Sequence, residues 1–333
     1  MTDSLPRIAL ALGDPAGIGP EIALKAALDP AVRAVCRPLL FGDRGVVEAH
    51  ASACGLKPKI NSVAHAADAA WSGDGITLVE RKQFDAGELR IGAIAAAHGK
   101  SALDSAKTAI DAALAGDVDA VVAAPHTESA IKLAGVEFDG YPSFVARETG
   151  TDENDVYLML CFGDTRIVHC TLHQSVKDAI AVITPEKVAR VIRAADRALR
   201  RLGIDAPKIC VGGLNPHAGE GGLFGREEIE IIKPAIEDAA AEGIQVTGPV
   251  GADTLFHKKG CDAFIVMLHD QGHIVAKLLA QNAAAALTIG SPILFSSVAH
   301  GSALEIAGKN QASPRALIVA IRQLSGAKAA TGD

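Results

Sequence analysis

Aromatic residues are scarce in this chain of 333 residues: phenylalanine, tryptophan and tyrosine together make up 4%. That scarcity argues against a binding module built on stacked rings. An excess of positive charge is also missing, since 32 Lys and Arg face 39 Asp and Glu, for a net charge of −7. Nucleic acid is therefore excluded as the main partner. No apolar run approaches the roughly 18 residues of a membrane span, so no membrane partner is expected. The segment Met1–Arg7 lacks the basic-then-apolar plan of a signal peptide, and a cytoplasmic location is expected. The six cysteines (Cys36, Cys54, Cys161, Cys170, Cys210, Cys261) form no CxxC pair. Neither a disulfide framework nor a cysteine zinc knuckle is indicated, and buried structural thiols are expected. A Walker A sequence is missing, and so is the dinucleotide fingerprint: Gly17-Ile18-Gly19 is followed by Ile22 where the third glycine belongs. If a dinucleotide binds, it binds some other way.

What is present is core material. Apolar residues reach 49% and charged residues 21%, with alanine, valine, isoleucine and glycine setting the texture. The length fits one large or two ordinary domains. Short apolar runs (Arg7–Leu12, Val118–Ala124, Ile209–Gly213, Ala263–Leu268, Ala285–Ile289) read as buried strands. Amphipathic stretches between them read as helices: one opened by Pro20, then Ile94–Ala115 interrupted by His98-Gly99, Pro185–Leu202, Arg226–Ala241 and Pro314–Leu324. Such alternation predicts an α/β fold with a largely parallel sheet. Val156–Cys161 and Arg166–Cys170, flanking Gly163-Asp164, read as a hairpin. Arg190, Arg193, Arg197, Arg200 and Arg201 read as a solvated helix face.

Four segments combine glycine with polar or titratable residues beside an apolar run. Gly13–Glu21 lies between a strand and a helix; it is either an anion nest or a tight turn capped by Asp14. Leu214–Gly222 places Asn215, His217 and Glu220 just past a strand, where ligands bind in α/β folds. His269-Asp270-Gln271-Gly272-His273 follows another strand; aspartate in place of glutamate and a helix-interrupting glycine argue against a zinc-protease motif. His300–Lys309 leads from small residues into a short helix. His173, His217 and His269 each follow a strand and could converge on one ion, and three neutral imidazoles suit zinc, cobalt or iron better than magnesium.

Together these segments resemble the 4-hydroxythreonine-4-phosphate dehydrogenase family, from Gly13-Asp14-Pro15 to the last helix. Its most specific pieces are Gly213–Glu220, Ala252–Phe256, His269–Gly272 and His300–Gly308; the last contains His300-Gly301-Ser302-Ala303, similar to the adenosine loop of isocitrate and isopropylmalate dehydrogenases. The resemblance implies an isocitrate/isopropylmalate dehydrogenase-like two-domain α/β fold with the active-site cleft between domains. Residues 1–125 with 285–333 would form the first domain and 126–284 the second. It also implies a homodimer with the active site at the subunit interface. Metal ligands would be His173, His217 and His269, the third from the neighbouring subunit, and Lys277 would hold substrate. NAD would lie against His300, Gly301, Ser302, Ala303 and Glu305, the last against the adenosine ribose. The ion is expected to be zinc, with cobalt, iron or magnesium as alternatives.

Within the family the chain is similar to the terephthalate cis-dihydrodiol dehydrogenase branch in Gly140–Ser143, Thr171-Leu172-His173 and Met267–Ile274. The family's phosphate-side asparagine and arginine correspond to Ala286 and Phe295. A phosphate facing phenylalanine would lose charge-assisted bonds of about 1.5–3 kcal/mol each. The expectation is thus NAD-dependent oxidative decarboxylation of a carboxylated cis-diol, terephthalate dihydrodiol going to protocatechuate and carbon dioxide. Asp253 is the candidate for proton transfer, Lys277 for enolate or carboxylate contact, and His126 and Tyr141 for substrate binding. The rivals are a 4-hydroxythreonine-4-phosphate or phospho-sugar-acid dehydrogenase of the same family, and a metal-dependent hydrolase or lyase without NAD.

Overall fold

A computed structural model describes residues 5–70, 75–84, 87–280 and 284–326; Met1–Ser4 of the leading segment lie outside them. Along the chain run β1 (Arg7–Ala11), α1 (Gly19–Leu28), α2 (Pro30–Arg33), β2 (Arg37–Gly42), α3 (Arg44–Ala53), β3 (Ile60–Val63) and β4 (Ile76–Glu80). Next come α4 (Ala96–Leu114), β5 (Ala120–Ala123), α5 (Glu128–Leu133), α6 (Tyr141–Thr149), β6 (Tyr157–Phe162), β7 (Thr165–His169), α7 (Val176–Val182) and α8 (Pro185–Arg201). The chain continues through β8 (Lys208–Gly212), α9 (Lys233–Ala241), β9 (Gln245–Val250), β10 (Ala263–Val266), α10 (His269–Ala280), β11 (Ala285–Ile289), β12 (Phe295–Val298) and α11 (Arg315–Leu324). It divides into two compact units, residues 1–150 with 292–333, and residues 151–291. Residues 126–150 pack with the first unit, where α5 lies on α4.

In the first unit the strands lie in the order β3-β4-β2-β1-β5-β12, every paired neighbour parallel. Ile8–Ala11 and Ala120–Ala123 are buried throughout, as strands covered by helices on both faces must be. The core gathers Leu39, Phe41, Ile110, Val121, Phe144 and Phe295. Helix α4 is not interrupted at His98-Gly99; it runs through both. Glycine is there because a Cβ would run into the Ala130 backbone of α5, so close helix packing selects it.

The second unit is mixed, in the order β11-β6-β7-β10-β8-β9. The expected hairpin is present as the antiparallel pair β6–β7, and β11 joins β6 antiparallel. The remaining pairs are parallel. Helix α8 illustrates a legible local code: Thr184 accepts from the Lys187 amide, Pro185 opens the helix, and Arg200 and Arg201 close it. Its outer arginines pair with acids, Arg193 with Glu242 and Arg200 with Asp196, which is a solvated face as expected. The segment Arg226–Ala241 departs from expectation, since a π-helical turn over Glu228–Ile232 precedes α9. Five of the six cysteines are buried and all are free thiols. Burial pushes the Cys161 and Cys170 thiols up to about 12, so both stay neutral and behave as small hydrophobes.

Phe295 bears on the substrate question. It is 1% exposed, with the Tyr141 ring 5.0 Å away. An arginine there would be buried in the core, so its effect would register first as lost stability. Phe295→Ala is expected to cost about 3–5 kcal/mol in urea denaturation, and Phe295→Arg more, because a desolvated guanidinium adds to the cavity.

Candidate functional site

The second unit carries most of the candidate histidines. His169 ends β7, His173 lies four residues beyond it, and His269 and His273 occupy the first turns of α10. Helical spacing sets His269, His273 and Lys277 along one face of α10. The glycine does not interrupt this helix. At Gly272 a Cβ would strike the His169 ring, and its absence lets α10 lie directly against β7. The His269 and His273 rings stack at 3.8 Å and 11°, and the His173 ring lies 5.5 Å from that of His269.

The hydrogen bonds of this cluster fix its tautomers. The Leu158 carbonyl can only accept, so His169 Nδ1 donates to it at 3.4 Å and Nε2 is left as an acceptor. His273 Nδ1 then donates to His169 Nε2 at 3.1 Å. His269 Nδ1 lies 2.7 Å from Asp270 Oδ1, which leaves its Nε2 lone pair available. Gln271 ties the motif to its surroundings: Oε1 accepts from the Met267 and Leu268 amides, and Nε2 donates to the Gly213 carbonyl.

His217 stands elsewhere, on the loop after β8. It begins a run of left-handed backbone, His217 to Gly221, with φ from 43° to 77°. Non-glycine residues in this region cost of order 1–3 kcal/mol each and persist only where the surroundings impose them. Here Glu228, buried at the start of the π-helical turn, accepts from the Leu214 and Asn215 amides and from the Asn215 side chain. The exposed His217 ring lies with Nδ1 3.9 Å from Asp253 Oδ2. Asp253 is exposed and caps no helix; the short turn Leu255–His257 is preceded by Thr254. Lys277 is exposed in the last turn of α10.

The first unit carries the remaining candidates. His126, half-buried beyond β5, packs edge-on against Tyr141 at 4.9 Å and Phe138 at 4.7 Å. Burial lowers its basicity, so the imidazole is neutral. Tyr141 is itself buried in the core, and its Oη has no partner among the described residues. The Gly13–Gly19 loop forms a tight turn in which four amides are already bonded: Asp14 N to Pro125 O, Ala16 N to Asp14 Oδ1, Gly17 N to Asp14 O and Ile18 N to Ser302 O. That last bond holds His300–Ala303 against α1, leaving His300 half-buried, Gly301 exposed with open space where a Cβ would stand, and Glu305 exposed.

These placements fit a dinucleotide loop, since an open glycine and a free carboxylate face outward from a pinned backbone. The metal donors fit in kind, being imidazoles, and His269 keeps its Nε2 clear of the contact with Asp270. However, no group of three or more metal-type side chains is gathered among the described residues of one chain. His173 and His269 are neighbours, while His217 keeps company with Asp253 and Phe224. The sequence assigns no role to His169 or Glu228, and Gln271 and His273 enter only as members of the His269–His273 motif. A strand-terminal histidine four residues before another was the one signal for His169; nothing local marks Glu228.

A family model described as "Pyridoxal phosphate biosynthetic protein PdxA" matches residues 34–324. The chain is 42% identical over 318 residues to a 1,2-dihydroxy-3,5-cyclohexadiene-1,4-dicarboxylate dehydrogenase of Comamonas sp, covering 96% of each. It is similar to the crystal structure of a terephthalate 1,2-cis-dihydrodiol dehydrogenase from Burkholderia xenovorans LB400, with TM-score 0.76 and 44% identity, covering 98% of this chain and 100% of that one. A 4-hydroxythreonine-4-phosphate dehydrogenase from Burkholderia phymatum matches with TM-score 0.89 and 36% identity, covering 97% and 98%.

The histidine cluster predicts an acid-sensitive fold. Burial, with neighbouring imidazoles, lowers His169 to about 3 and His273 to about 4. Both stay neutral in the fold below pH 6.5, while the unfolded chain takes up the protons, so stability falls as pH drops from about 6.5 toward 3. At pH 5 the loss is about 2 kcal/mol for His169 and less for His273, which is more open to solvent. Urea midpoints of chelator-treated protein at pH 7.5 and pH 5 would check this, and His169→Asn should flatten the difference.

Proposed function

The chain belongs to the PdxA family of dehydrogenases, and on that premise we propose that it oxidises and decarboxylates a carboxylated cis-dihydrodiol with NAD. Terephthalate 1,2-cis-dihydrodiol is the substrate that fits best, with protocatechuate and carbon dioxide as products. The observation that carries this reading is Phe295. The position that corresponds by resemblance to a phosphate-binding arginine is an aromatic side chain 1% exposed, unable to bond an anion. Ala286 stands where the same resemblance places an asparagine. The Comamonas and Burkholderia xenovorans relatives named for this dihydrodiol support the same choice.

In this proposal His300–Ala303 would hold NAD, with Glu305 accepting hydrogen bonds from the adenosine ribose, and the cofactor would supply a hydride acceptor for a secondary alcohol β to a carboxylate. Lys277 Nζ, one turn beyond His273, holds that carboxylate and offsets the charge left when carbon dioxide departs. Asp253, beside His217, accepts the alcohol proton at a carboxylate oxygen. Aromatisation of the ring to a catechol drives the reaction forward. His173, His217 and His269 would hold a divalent ion, zinc by the chemistry of three imidazoles, which lowers the acidity threshold of a bound alcohol. Because one chain does not gather the three, the ligand set calls for a second copy. Helix α10 offers it an apolar surface, with Ile274, Leu278 and Leu279 each more than half exposed.

Two measurements test the proposal. Steady-state formation of NADH with a panel of carboxylated cis-dihydrodiols and 4-hydroxythreonine phosphate is expected to favour the ring substrates. NADP should serve worse, because Glu305 repels a 2′-phosphate. Efficient turnover of the phosphate ester with the diols untouched would reverse the substrate assignment, and NAD-independent cleavage would favour the hydrolase reading. Separately, His217→Ala is expected to reduce bound metal and to lower kcat/KM at least about 100-fold; full metal content with full activity would sink the ligand assignment.

A further inference from the structure

We propose that Glu21 and Lys25 of α1 form a positioning clamp for the dinucleotide loop, and that the pair sets cofactor affinity rather than the chemical step. The inference rests on the reading of His300–Glu305 as the cofactor loop. Glu21 is fully buried, and its Oε1 accepts from Lys25 Nζ at 2.7 Å and from the Ala312 amide at 2.9 Å. Lys25 Nζ also donates to the Ala312 carbonyl at 2.8 Å. Both backbone polar groups of one residue are thus bonded to a single ion pair almost the whole chain length away.

The other end of the loop is held by the same helix entry, where Ile18 N donates to Ser302 O at 2.8 Å. Between these two anchor points the backbone adopts left-handed conformations at Ala303 (φ 40°), Gly308 (φ 69°) and Asn310 (φ 58°). Two of these three residues carry a Cβ, and such backbone persists only where its surroundings over-determine it. An anchor at each end supplies that constraint. Without the Ala312 anchor, residues 303–311 would relax toward ordinary backbone, carrying Glu305 with them.

The simpler alternative is an ion pair that serves α1 alone. An i, i+4 pair with that role belongs on a solvated helix face, where it contributes little. This one turns inward, with the acid fully buried and both partners bonded to a distant segment. Buried ion pairs are weak sources of net stability, and holding one geometry against others is among their better-supported uses.

The test uses the full-length protein and the double variant Glu21→Gln/Lys25→Met, which removes both charges so that neither is left buried alone. If the competent loop falls to about a tenth of the population, the Kd for NADH, followed by its fluorescence, rises about tenfold. Amide hydrogen exchange across residues 303–311 should quicken in the cofactor-free protein while α10 keeps its protection. KM for NAD should rise with kcat within about twofold, and Lys25→Arg, which retains charge and donors, should restore most of the affinity. Should the double variant not fold, Glu21→Gln alone is read in the same way. A folded variant that binds NADH as tightly as the wild type overturns the clamp, whether or not exchange quickens. Wild-type protein that binds no NADH overturns the cofactor reading itself, and the exchange rates then still decide whether the pair holds the loop.

Discussion

A strand buried on both faces can carry almost no polar side chain along its length, and the chemistry of this chain is arranged around that constraint. The candidate histidines and Asp14 appear at, or within a few residues beyond, the carboxyl end of an apolar strand, whereas Tyr141 and Lys277 sit on helices farther along. Asp14 follows β1, His126 follows β5 and His300 follows β12 in the first unit. In the second, His169 and His173 mark the end of β7, His217 follows β8 and His269 follows β10. Parallel neighbours direct these ends to one edge of each sheet, so residues far apart in sequence share a rim without any local signal to bring them there.

At that rim the backbone, not only the side chains, is specialised. His217 sits in a left-handed run that the Glu228 carboxylate holds from beneath, and His269 lies on a helix whose approach to β7 depends on Gly272. In both places a histidine is exposed or half-exposed while the residue that supports it is buried. The division follows from the energetics: a group that must meet a ligand needs solvent access, and a group that must hold a geometry needs every polar atom satisfied. His273 shows the intermediate case, with its Nδ1 committed to His169 and its face stacked on His269.

This division also explains which features were legible in the sequence. Buried strands such as Ile8–Ala11 and Ile209–Gly212 announce themselves as apolar runs, and α8 carries its cap, its first proline and its terminal arginines in plain order. Edge strands do not: β3 reads Ile-Asn-Ser-Val and β9 contains Gly248-Pro249, because a strand at a border needs no continuous apolar pattern. Glycine misled in a consistent way. At Gly99 and Gly272 it reads as a helix breaker, yet both lie inside helices, chosen by a neighbouring element that no local window contains. The partners of Glu21 and Glu228 are hidden for the same reason, since a buried carboxylate is informative only once its distant or non-helical amides are known.

Under the proposed function, Phe295 would separate the choice of substrate from the reaction. The candidate histidines lie beyond the strand ends, whereas Phe295 begins β12 and its ring belongs to the core with Tyr141 and Phe144. Placing an aromatic ring where the resemblance puts a guanidinium removes an anion contact and extends the hydrophobic packing in a single step. The gain is roughly 25 cal/mol per Å² of apolar surface taken from water. Such a change reaches His126 only through Tyr141, whose ring lies 4.9 Å from the imidazole and 5.0 Å from Phe295. A polar group regained there would have to displace core packing first, so the substitution is hard to reverse without further changes around Tyr141. Specificity placed in the core in this way would be bound to the stability of the first unit, while exposed groups such as His217 and Lys277 would stay free of that constraint.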